Sequence, residues 1–91
     1  METVNLNQER WLRCQLDLGM FSDEIAVTYP AEGAAIRSVF VPKSAVNGKP
    51  GEKGRVRVRI MNSKSGTVYA VLPTNQSEMV AVTERDLSDS P

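Results

Sequence analysis

The segment Gly54-Arg55-Val56-Arg57-Val58-Arg59-Ile60 alternates apolar and cationic side chains with a period of two. Successive side chains of a strand point to opposite faces, so Val56, Val58 and Ile60 form one stripe and Arg55, Arg57 and Arg59 the other. One stripe belongs to a core; the other displays three guanidiniums. The same period governs Trp11 to Leu18, where Leu12, Cys14, Leu16 and Leu18 share a face opposite Arg13, Gln15 and Asp17. It returns in Ile25, Val27 and Tyr29, in Ile36 to Val41, in Thr67 to Leu72 and in Met79 to Thr83. Pro42 ends the third of these runs, because proline has no N–H to give a sheet ladder.

The links between the strands are rich in turn residues. Ser22-Asp23-Glu24 closes a first hairpin, in which Gly19 is expected to permit a bulge that re-aims Met20 and Phe21. Pro30 to Gly33 is a connector. Residues 43–54, with three glycines and three lysines, read as an exposed and mobile loop. Asn62 to Gly66 reads as a tight hairpin loop and Pro73 to Ser77 as a looser one, so Arg55–Met61, Thr67–Leu72 and Met79–Thr83 form a meander. Helix signals are confined to one turn in Asn5 to Arg10 and a short 3₁₀ turn in Glu84 to Leu87. No internal repeat or low-complexity tract is evident, which excludes a solenoid.

A chain of 91 residues supports one domain with a single modest core. The expected organisation is an N-terminal arm at 1–10, either one helical turn or disordered, a β domain at 11–87 and a frayed tail at 88–91. Short strands at this spacing must share one core and hide their edges. The fold class is therefore all-β, a small SH3-like barrel or a compact two-sheet domain of five to six short antiparallel strands. Its closing pattern resembles the second half of an SH3-like barrel: a basic alternating strand, a hairpin, Val68-Tyr69-Ala70-Val71-Leu72-Pro73, a second hairpin, then Val80-Ala81-Val82-Thr83-Glu84-Arg85-Asp86-Leu87. The likeness spans about a third of the chain and concerns architecture. The acidic-aromatic motifs and paired tryptophans of SH3 domains are absent, and with them any implication of polyproline binding.

Composition narrows the chemistry. There is no histidine, so the commonest general base and the commonest metal ligand are both missing. One cysteine cannot close an intrachain disulfide or assemble a structural zinc site, and Cys14 lies on the apolar face of its strand as core filler. Gly48 to Gly54 has glycines and lysines without the spacing or following helix of a phosphate loop. Asp23 and Glu24 read as a solvated turn rather than a catalytic carboxylate pair. The chain is thus expected to be no enzyme, with no cofactor and no metal. It has neither a membrane-length apolar run nor a signal-peptide pattern, and a cytoplasmic location is the simplest expectation.

Charge is balanced in total but uneven along the chain: −4 over residues 1–33, +7 over 34–66 and −3 over 67–91. Arg55, Arg57 and Arg59, flanked by Lys49, Lys53 and Arg37, form the candidate surface for an anion or a single-stranded nucleic acid, RNA above all. The competing expectation is that Asp17, Glu24 or Glu84 neutralises the stripe across strands. Trp11, Met20 and Phe21 form a candidate protein-interaction spot, whereas Tyr29, Phe40 and Tyr69 are expected in the core. A small binding module that contacts a protein partner or a like subunit is the first functional expectation, and nucleic-acid binding through the arginine stripe the second.

Overall fold

The computed structural model describes residues 8–30, 36–74 and 78–91. The period-two segments become strands: β1 (Glu9–Leu18), β2 (Glu24–Pro30), β3 (Ile36–Pro42), β5 (Lys53–Lys64), β6 (Thr67–Val71) and β7 (Met79–Thr83). Two further strands of two residues each, β4 (Val46–Asn47) and β8 (Leu87–Ser88), bring the sheet to eight strands. The order is β3-β2-β1-β5-β6-β7, antiparallel throughout, and the sheet curls into a half-barrel. No described helix is long and apolar enough to cross a membrane.

The curl follows from what lies beyond β3 and β7. Each runs into a 3₁₀ turn, Lys43–Ala45 after β3 and Glu84–Asp86 after β7, and each turn delivers a two-residue strand to the centre of the sheet. β4 sets Val46 beside Val56 of β5, and β8 sets Leu87 beside Leu12 of β1. The inward faces then enclose one core, with Leu12, Leu16, Val27, Val56, Val58, Leu72 and Val82 among its fully buried members. At roughly 1.5–3 kcal/mol per buried aliphatic side chain, this core is the principal stabilising term.

These closures reveal an internal repeat that the bare sequence hides. The unit β1-β2-β3-turn-β4 is followed by the matching unit β5-β6-β7-turn-β8, and their ladders correspond pair by pair. Leu16 faces Val27 as Ile60 faces Ala70, and Val27 faces Val39 as Ala70 faces Val80. Leu12 and Val56 face each other and are exchanged by the same pseudo-twofold rotation, so its axis passes between them. The expectation of no repeat is corrected on this point; the structure is a tandem pair of like units, not a solenoid.

Other expectations are adjusted. The loop at 43–54 is a closing element, with Ala45 only 1% exposed, Leu16 N donating to Glu52 O at 2.9 Å and Gly51 N donating to Leu16 O at 2.7 Å. Strand β1 begins at Glu9, so Glu9 and Arg10 are strand residues, while residues 1–7 fall outside the described part. Ser88 of β8 pairs with Trp11 of β1, and the Ser90 carbonyl accepts hydrogen bonds from Arg55 and from the Ser88 hydroxyl, which ties down the expected frayed tail. The shift of register lies between Ile60 and Asn62, not at Gly19. A Cβ at Gly19 would stand 2.7 Å from the Glu24 carbonyl oxygen, so that glycine permits a close chain crossing instead. Phe40 is on the outer face at 48% exposure, because Val39 and Val41 take the inward phase of β3.

Candidate nucleic-acid interface

The β1·β5 ladder sets Glu9 opposite Arg59, Trp11 opposite Arg57, Arg13 opposite Arg55, and Gln15 opposite Lys53. The alternate residues Leu12, Cys14, Val56 and Val58 are buried, so this second set faces outward. β8 places Ser88 beside Trp11, and β4 places Asn47 beside Arg55. One tryptophan therefore shares a single sheet face with Arg13, Lys53, Arg55, Arg57 and Arg59, and with the acidic Glu9. Directly opposed side chains on such a ladder have Cβ atoms about 4.5–5.5 Å apart and diagonal ones about 7–8 Å. Arg57 is the direct ladder partner of Trp11, and Arg55 and Arg59 occupy its diagonal positions.

This placement regroups the residues singled out in the sequence. Arg55, Arg57, Arg59 and Lys53 share the face; Lys49 is in the exposed turn beyond it; Arg37 is on β3, opposite Tyr29 and away from the stripe. Trp11 joins the arginines rather than Met20 and Phe21, which lie past the far end of β1. There Glu24 Oε1 accepts from the backbone N–H of Met20 at 2.9 Å and of Phe21 at 3.2 Å. That turn leaves Leu18, Met20 and Phe21 exposed at 79%, 76% and 68%.

None of the expected neutralising partners, Asp17, Glu24 and Glu84, pairs with the stripe among the described residues. Glu84 pairs with Arg10 at 2.5 Å, as Asp89 does at 2.9 Å, Glu24 caps the turn just described, and Asp17 stands opposite Ala26 of β2. Arg57 Nε approaches Glu9 Oε2 at 3.7 Å between partly exposed side chains, a pairing worth at most about 1 kcal/mol. Arg55 Nη1 donates to the Ser90 carbonyl at 3.1 Å. Among the described residues Arg59 and Lys53 form no ion pair.

Arg13 faces Arg55 directly, a like-charge pair that needs an anchor. Asp86, on the 3₁₀ turn before β8, supplies it: Arg13 Nε donates to Asp86 Oδ1 at 2.6 Å and the Thr83 hydroxyl donates to Oδ2 at 2.7 Å. Burial pushes the Asp86 carboxyl up, but hydrogen bonds from Thr83 and Arg13 and the charges of Arg13 and Arg85 hold it below its usual value. Sequence reasoning missed Asp86, because only the β8·β1 pairing brings it to Arg13. The outward phase of Arg13, in contrast, was readable from the alternation in β1.

Beside Arg13 and Arg55 lies a depression of about 400 Å³ lined by Arg13, Asn47, Gly48, Lys53, Gly54, Arg55 and Pro91. Its two glycines pack tightly against the core side of the chain. Gly48 has φ +132°, and a Cβ at Gly54 would meet Asn47 O at 2.5 Å, so both positions require the bare backbone.

Cys14 and Tyr29 lie beneath this surface and offer little chemistry. Burial pushes the Cys14 thiol up to about 12, so it remains protonated and a poor nucleophile at neutral pH. Burial also raises the Tyr29 hydroxyl, the Glu78 carboxylate adds to that rise, and the Arg37 guanidinium opposes it. The Tyr29 hydroxyl has no hydrogen-bond partner among the described residues. No group of three or more histidine, cysteine or acidic side chains suited to a metal is found among the described residues. No known protein family, curated protein or solved structure matches the chain.

Proposed function

We propose that this protein is a non-catalytic binding module for single-stranded nucleic acid, with RNA as the favoured form, engaged by the outer face of β1·β5. The observation that carries the reading is the ladder register, which gives Trp11 and five cations one shared face. Single-strand binders combine a positive track for the backbone with an aromatic surface on which bases stack, and this face supplies both elements. Arginine suits the track because its planar fork matches phosphate oxygens and keeps its charge at any physiological pH. The unpaired Cys14 supports a reducing, cytoplasmic setting.

Trp11 is the sole tryptophan, so intrinsic fluorescence reports on the face directly. Titration with oligouridylate at low salt is expected to quench it, and raising the salt to about 0.2 M should weaken binding steeply through counterion release. Unchanged fluorescence at low salt, with no amide shifts in residues 53–59, would overturn the reading.

A second reading rests on a different surface. The apolar tip of Leu18, Met20 and Phe21 supports contact with a protein partner or a like subunit. Replacing Met20 and Phe21 by serine should then abolish that association without altering Trp11 quenching.

A further inference from the structure

The side chains of the depression beside Arg13 and Arg55 are one-sided in charge, and Pro91 completes the lining. Arg13, Lys53 and Arg55 line it together with Asn47, and no acidic side chain does. Arg13 uses Nε on Asp86 and Arg55 uses one Nη on Ser90, so each guanidinium retains further N–H groups. Lys53 Nζ and Asn47 Nδ2 make no hydrogen bond to any described residue, which leaves both free to meet a ligand.

Position relative to Trp11 gives the pocket meaning. Arg13 lies two residues from Trp11 along β1 on the same face, roughly 7 Å away at a strand rise of about 3.3–3.4 Å per residue. That spacing separates the base of a nucleotide from its own phosphate.

We infer that this pocket is a phosphate subsite, taking the phosphoryl group of the nucleotide whose base stacks on Trp11. The inference deepens the nucleic-acid reading and rests on it for the identity of the ligand, though not for the anion. Asp86 acts here as a positioning residue, holding Arg13 by its Nε so that the outer edge of the guanidinium is presented to the phosphate. The phosphoryl group can come from an internal phosphodiester or from a terminal monophosphate, whose second negative charge gains more from three cations.

The test is an NMR titration of the full chain with three probes: inorganic phosphate, a 5′-hydroxyl oligouridylate and the same oligomer with a 5′-phosphate. Inorganic phosphate should shift Gly48, Gly54, Asn47 and the Arg13 and Arg55 Nε–H signals. Lys53→Ala, an exposed substitution, should weaken phosphate binding about ten-fold, as expected for losing a charge-assisted contact. A tighter complex with the phosphorylated oligomer assigns the pocket to a chain terminus; equal affinities with the same shifts assign it to an internal phosphodiester. Phosphate shifts spread evenly over Lys43, Lys49 and Lys64, or oligomer quenching of Trp11 with the pocket signals unmoved, would overturn the inference. Phosphate shifts confined to the pocket with no quenching by either oligomer would uphold the subsite and overturn the nucleic-acid reading instead.

Discussion

The two units of the repeat share a backbone plan and differ in what they place on it. In the core the exchange is conservative: Leu12, Cys14 and Leu16 correspond to Val56, Val58 and Ile60, and Tyr29 to Leu72, all inward and buried. At the surface it is not. The rotation that carries Arg13 to Arg57 carries Lys53 to Glu9, Asn47 to Ser88 and Gly48 to Asp89. Where the first site is an open cationic pocket, its mate is closed by an ion pair between Arg10 and Asp89. Beneath the turns, Ala45 of one unit corresponds to the buried carboxylate Asp86 of the other. Fold constrains the inward positions equally in both units, whereas the outward positions are free to become different surfaces.

The equivalence is most severely tested in the core. Leu12→Ala, on the pseudo-twofold axis and fully buried, should cost about 2–5 kcal/mol in urea unfolding. Val56→Ala should cost somewhat less in proportion to its smaller volume, and a loss confined to one unit, seen as two unfolding transitions, would break the picture of a single shared core. Gly54→Ala should cost about 1–3 kcal/mol through its collision with Asn47 O, whereas Gly51, with nothing within 4 Å, should lose only the roughly 1 kcal/mol of its positive φ.

Asp86 separates the two turns by pH. Its carboxyl titrates lower in the folded chain than in the unfolded one, so its stabilisation is full above the unfolded pKa near 4 and disappears as pH falls through the folded value. Asp86→Asn should lower stability by about 1 kcal/mol at neutral pH and flatten the acid limb of the stability profile. An unaltered acid limb would show that the carboxylate is not held as described. The smallest effect is expected on the surface: Arg57→Ala or Arg59→Ala should move stability by no more than about 0.5 kcal/mol, while each weakens nucleic-acid binding.

What was legible in the sequence follows the same division. Period-two alternation is written into the chain wherever one face is buried, so the six long strands could be read with bounds close to those observed. β4 and β8 could not, because two residues carry no period. The repeat was obscured by its drift: corresponding residues lie 44 apart at Leu12 and Val56, 43 at Tyr29 and Leu72, and 41 at Val46 and Leu87. Its matches are similarities of burial more than of identity, with Arg13 and Arg57, Pro30 and Pro73, and Val39 and Val80 among the exceptions. For the site, alternation gave the outward phase of Trp11 and the arginines but not which strand would lie beside β1. Only that pairing turned an arginine stripe and a distant tryptophan into one surface.

The pairing of β8 with β1 also bears on how the chain is made. β1 leaves the ribosome about seventy residues before Leu87, yet Leu12 is flanked by Val56 on one side and Leu87 on the other. The first unit emerges with its central apolar face open and stays so until the second unit follows. Native closure waits for β8, which makes the nascent chain, rather than the folded protein, the form most exposed to misassociation.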